Sequence, residues 1–210
     1  MYILAVETST EKASVCLLED GEKVSYISAD GTRAHNRLLF SMIGDALKDA
    51  GITVRDVDIF AVGTGPGSFT GLRVGVSAVK GMAIGAGRKI IPVRSLDAAA
   101  LKVLEDHPDD EFAEILLEGR QKDYFHARYR RAGADVDKIS EIIVLPYGEN
   151  CYINGVRAGN VAPEFTGTAP YKGGYYPDAY HIAKLAFVRR ESASADFSFE
   201  PEYFKEFKVK

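Results

Sequence analysis

The residues best suited to hold a ligand lie in one run, Gly63-Thr64-Gly65-Pro66-Gly67-Ser68-Phe69-Thr70-Gly71-Leu72-Arg73-Val74-Gly75. Glycines let main-chain N–H groups converge on an anion, and a helix that starts just beyond them adds its partial positive charge. Such a strand-loop-helix cradles a phosphate. It matches neither common template: counted from Gly67, a P-loop needs glycine and lysine where Leu72 and Arg73 stand, and a dinucleotide fingerprint needs glycine at Ser68 or at Thr70. The competing reading gives the glycines a steric task, a sharp turn and close strand-helix packing. On the residues alone the two readings stand level. The hydroxyls of Thr8, Ser9 and Thr10 join the first if they end an adjacent strand.

Other chemistry is sparse. The histidines at 35, 107, 126 and 181 are too far apart for a helical metal pair, and Cys16 and Cys151 have no metal-ligand or disulfide spacing. No Gly-x-Ser-x-Gly elbow occurs. Asp109 with Asp110 and Asp135 with Asp137 read as solvated turns, and Asp97 as a first-turn helix charge. The small basic clusters, Arg128 with Arg130 and Arg131, Arg189 with Arg190, and Lys205 with Lys208 and Lys210, read as surface charge. No metal and no cofactor is expected.

The elements that must position these groups follow from periodicity. Residues 2–8 read as a buried strand, 13–18 and 24–28 as two more in an antiparallel meander. Apolar positions at Leu38, Leu39, Met42, Ile43, Ala46, Leu47 and Ala50 predict a helix that Gly51 closes. A strand over 59–63 enters the glycine loop, a helix spans 72–86, a strand 89–93, and Ser95 caps a helix over 96–105. Strands are expected at 112–117, 124–129 and 139–145, a turn at Asn154 and Gly155, a loop over 163–177, a helix over 178–190 and a closing strand over 203–209. Alternating strands and helices after an antiparallel start indicate a mixed α/β sheet. Gly71, Gly75, Ser77, Gly81 and Gly85 put small residues four apart on the second helix. Each glycine costs a helix interior about 1 kcal/mol, so something packs closely there: the chain's own first helix, the slightly favoured reading, or a partner.

The chain has 210 residues, 46% hydrophobic and 27% charged, enough for its own core. A net charge of −4 argues against holding nucleic acid chiefly through its own phosphate contacts. No basic leader or apolar span is seen at the start, and the expected location is the cytoplasm.

The string GTGPGSFTGLRVGVSAVKGMA, with ILAVETST, AHNRLL and PVRSLDAAA, resembles the TsaB family, also called YeaZ, over roughly residues 1–101. Pro201 and Tyr203 resemble its terminal Pro-x-Tyr. The chain departs from the family pattern at Glu7, usually aspartate, and at Glu118-Gly119-Arg120, usually Asp-Ala-Arg.

The resemblance implies an α/β actin-like ATPase fold (sugar kinase/Hsp70, ASKHA) with two duplicated lobes, 1–101 and a smaller 102–210. It further implies a non-catalytic scaffold in threonylcarbamoylation of adenosine 37 of tRNA. The implied partners are a catalytic paralogue of TsaD type, a small ATPase of TsaE type, and tRNA through the complex; a homodimer is expected in isolation, and no membrane. Aligned with the paralogue's His-x-x-x-His pair stand Ser95 and Ala99. Thr8, Ser9, Thr10, Gly65, Gly67, Ser68, Thr70 and Gly71 become a vestigial phosphate loop. The helices over 36–50 and 72–86 become the contact surface, with Leu38, Leu39, Met42, Ile43, Ala46, Leu72, Gly75, Val76 and Val79 expected in it. Gly75→Arg is expected to block assembly of a folded monomer. The alternative is a phosphotransferase or ATPase of the same superfamily that uses these loops.

Overall fold

A computed structural model describes residues 1–31, 34–119, 122–149, 155–167 and 170–204. The first sheet has the order β3-β2-β1-β4-β5, from strands β1 (Tyr2–Glu7), β2 (Lys12–Glu19), β3 (Glu22–Asp30), β4 (Ile59–Gly63) and β5 (Lys89–Val93). The meander β1-β2-β3 is antiparallel, while β4 and β5 run parallel to β1. Parallel strands need crossovers. Helices α1 (Ala34–Asp49) and α2 (Phe69–Ala86) provide them.

Alternation along β1 explains its near-continuous apolar run. Leu4 and Val6 face α1 and α2 in one core, whereas Ile3 and Ala5 face a second core on the other side of the sheet. A strand covered on both faces has no polar side.

The second sheet, in the order β10-β6-β7-β8 with β9 also paired to β7, uses β6 (Phe112–Glu118), β7 (Asp123–Ala132), β8 (Asp135–Lys138), β9 (Ile143–Pro146) and β10 (Val156–Gly159). Its β6-β7-β8 run is antiparallel and β10 is parallel to β6. Order and sense therefore repeat β3-β2-β1-β4. Among the described residues the repeat's fifth strand is reduced to a single parallel bridge, Ala158 with Lys172, and no helix joins β9 to β10 where α1 joins β3 to β4. The strand order is thus duplicated, and the second copy is reduced.

Between the sheets lie α3 (Ser95–Asp106), packed on the second sheet, and α4 (Ala179–Val188), packed on the first. Several expectations change here. The strand expected over 139–145 is only the short β9, and β8 runs over 135–138, where a solvated turn was expected. Asp135 is no solvated turn residue: Arg189, expected on the surface, grips it at 2.6 and 2.9 Å and reaches Asp97 at 3.0 Å. Arg131 donates to the carbonyls of Leu104, His107 and Asp110, closing the C-terminal end of α3. Residues 203 and 204 form no strand; 205–210, Asn154, Arg120 and Cys151 lie outside the described residues. Among the described residues no helix is long and apolar enough to cross a membrane.

Candidate functional site: a self-filled glycine loop beside an open helix face

Each side of the glycine loop meets protein. The Thr8-Ser9-Thr10 loop that ends β1 lies directly on it, and all three residues are buried. Thr8 Oγ1 donates to the Gly71 carbonyl at 2.8 Å, and Ser68 N donates to the Ser9 carbonyl at 2.6 Å. A Cβ built on Gly67 would overlap the Ser9 carbonyl, and one on Gly75 would overlap Thr8 Oγ1. These glycines are needed for close approach of one backbone to another.

Several of the loop's amides are engaged within the chain. Thr64 N donates to the Val93 carbonyl, Gly65 N to Ser95 Oγ, and Gly71 N to Ser68 Oγ, which caps α2. Leu72 N donates to Ser68 O inside the first turn. Thr70 is exposed at the start of α2. The steric reading of the glycines thus accounts for their positions.

Beneath the loop, Glu7 is fully buried. It accepts from Ser9 N and from Ser95 Oγ, the latter at 2.7 Å. Burial pushes its carboxyl above the usual range, partly offset by those donors. Gly63 has no room for a Cβ, which would overlap Glu7 Oε2. Ser95, expected as a helix cap, is instead the first residue of α3, with Arg94 in the cap position making no side-chain cap bond. Its hydroxyl serves Glu7 and the loop. Ala99, one turn on, is wholly buried and has no donor atom.

The segment over 194–204 runs across the loop's remaining side, which periodicity did not reveal. Ser194 bridges Ile90 of β5, Glu202 N donates to the Thr64 carbonyl at 2.8 Å, and Glu202 pairs with Arg94 at 2.8 Å. Lys80 reaches the Phe199 carbonyl.

The predicted contact residues divide sharply. Leu39, Met42, Ile43, Ala46, Val76 and Val79 are buried against the chain's own first sheet, Leu72 is fully buried, and Gly75 is buried against Thr8. They form the inner face of α1 and α2, and Gly75→Arg would wreck the monomer rather than test an interface. Of the predicted set only Leu38, 45% exposed, looks outward. The outer face is carried by residues the periodicity passed over: Phe40 is 64% and Ile84 60% exposed. Beside them a Cβ on Gly44, Gly81 or Gly85 would meet nothing within 4 Å. The outward glycines therefore do not serve packing between α1 and α2, contrary to the reading first favoured.

A family model described as "TsaD: tRNA N6-adenosine threonylcarbamoyltransferase" matches residues 28–199. The chain belongs to the TsaD family. Within that family it resembles the TsaB (YeaZ) members. It is 42% identical over 107 residues to the tRNA threonylcarbamoyladenosine biosynthesis protein TsaB of Haemophilus influenzae, and 38% identical over 96 residues to that of Escherichia coli. These matches cover 51% and 46% of this chain and 45% and 41% of the relatives, so the chain matches less than half their length. The solved YeaZ of Pseudomonas aeruginosa aligns with a TM-score of 0.84 at 25% identity, over 97% of this chain and 99% of that one. The likeness to that YeaZ thus extends through both sheets.

Proposed function

We propose that this chain is a non-catalytic partner of a TsaD-type transferase in making threonylcarbamoyladenosine in tRNA. The observation that carries the proposal is the glycine loop closed on the chain's own residues: the amides of Thr64, Gly65, Ser68, Gly71 and Leu72, the clefts at Gly67 and Gly75 and the buried Glu7 all have protein partners. Those donors and clefts are not open to a phosphate. Ser95 and Ala99 offer no imidazole at the positions where the paralogue is expected to carry its metal pair, and neither substitutes for one.

Partner binding is supported by the outer face of α1 and α2. Large apolar side chains stand there beside helix glycines that bring no benefit to the monomer. Removing Cβ atoms lets another backbone approach closely, and the apolar neighbours supply the driving force. The same face supports a homodimer when the paralogue is absent. A TsaE-type ATPase and tRNA join through the complex.

Calorimetry of the isolated chain with ATP and magnesium, combined with a phosphate-release assay, tests the catalytic half of this reading. The expected result is no turnover. Steady phosphate release that Ser68→Ala or Ser95→Ala abolishes would replace it with an ATPase.

A further inference from the structure

A cavity of about 190 Å³ lies between β2, β3, α3 and the turn into α4, and most of the side chains that line it are charged or carry a hydroxyl. Lys12 and Asp30 stand opposite each other on β2 and β3, as do Ser14 and Ser28 two residues along. Ser14 is buried, and its Oγ accepts from Ala179 N at 2.9 Å, which ties the start of α4 to this wall. Tyr176 stands between two ammoniums: Lys12 Nζ lies 4.4 Å from the centre of its ring, and Lys102 Nζ donates to its carbonyl at 3.4 Å. These charges are only partly answered within the chain. An ammonium has three protons to donate. Lys102 places two, on Tyr176 and on Asp178 at 2.9 Å. Lys12 lies 3.7 Å from Asp30, beyond hydrogen-bond reach, and among the described residues neither of these two charged groups makes a hydrogen bond.

We infer that this cavity binds a small zwitterion of the α-amino acid type. The carboxylate of the ligand takes the spare protons of Lys12 and Lys102, its ammonium faces Asp30, and the hydroxyls of Ser14, Tyr26 and Ser28 suit a short polar side chain. The lining carries the ammoniums of Lys12 and Lys102 and the carboxylates of Asp30 and Asp178. A ligand with one charge of each sign is complementary to it, whereas a phosphate or other polyanion would meet the two carboxylates. Size points the same way. Pockets for drug-sized ligands run from about 300 to 1,000 Å³, and this one holds about six water volumes, too little for a nucleotide. The site is independent of the partner role proposed above.

The test is calorimetric titration of the full chain with L-serine, and with ethanolamine and glycolate, which keep the hydroxyl of serine but each lack one of its charged groups. Saturable binding of one serine per chain is expected, with both analogues weaker by about tenfold or more. Lys12→Met should weaken serine binding by a similar factor. Asp30→Asn should weaken serine but not glycolate, because it removes the partner of the ammonium and keeps those of the carboxylate. The Lys12 and Asp30 side chains are 42% and 81% exposed, so both variants keep the fold, which circular dichroism checks. Absence of saturable serine binding, glycolate binding as tight as serine, or serine affinity unchanged in either variant overturns the inference.

Discussion

Ser95 shows how much one small side chain can carry. It donates to the buried Glu7 carboxyl and accepts from Gly65 N, tying β1, the glycine loop and α3 to one atom. Ser95→Ala leaves both partners short in a dry site, a loss of about 1–3 kcal/mol. Urea denaturation checks this, and an unchanged midpoint would contradict the geometry. The glycines of α2 make a paired experiment. Gly75→Arg should fail to fold, because Thr8 occupies its side, whereas Gly81→Arg should fold with a parental circular dichroism spectrum, because nothing stands near it. The spacing of small residues was legible in the sequence, but it holds two rows. Gly71, Gly75, Val79 and Ala83 are buried, while Ser77, Gly81 and Gly85 are exposed. Positions 75 and 77 lie about 200° apart around a helix, so one list of small residues mixes a packing stripe with an open one.

At the scale of elements, the junction of α3 and α4 is held by charge. His181 lies 2.7 Å from Asp178 and 3.4 Å from Glu105, and Lys102 reaches Asp178 at 2.9 Å. Burial opposes charging of His181, but the carboxylates of Asp178 and Glu105 outweigh it and hold the imidazole above its ordinary value. Asp178 is held well below the carboxylate range because His181 and Lys102 outweigh its burial. A raised histidine adds stability that is present in full below its unfolded value of about 6.5 and is lost as pH rises through the folded value. A depressed aspartate adds stability that is lost as pH falls through its folded value. The chain should therefore be less stable at about pH 9 than at about pH 6, with a smaller gap in His181→Gln; an equal gap in the variant would place the pH dependence elsewhere. Helix α4 was readable from periodicity, although Asp178, read as its first residue, is its cap. The partners of its ions were not: Arg189 meets Asp97 and Asp135 across 92 and 54 positions, and no local pattern encodes such pairs. Residues 194–204 escaped for a related reason, since irregular chain held by side chains has no period to read.

Across the whole molecule, the second sheet repeats the strand order of the first, but β8, β9 and β10 have only four residues each, which hides the repeat from periodicity while hydrogen-bond order preserves it. The α/β class and the first sheet's meander and crossovers were visible because long, doubly covered strands and amphipathic helices write strong patterns. Which helix face looks outward was not, because both faces of α1 and α2 carry apolar residues and only the sheet beneath decides between them. That outward face bears most directly on the role proposed here. The measurement is size-exclusion chromatography of this chain mixed with a TsaD-type enzyme, run with the parent and with Ile84→Glu. The account predicts a joint peak containing both proteins for the parent, and separate peaks for the variant, which keeps its fold because Ile84 is 60% exposed. Separate peaks for the parent, or a joint peak undiminished by Ile84→Glu, would contradict it.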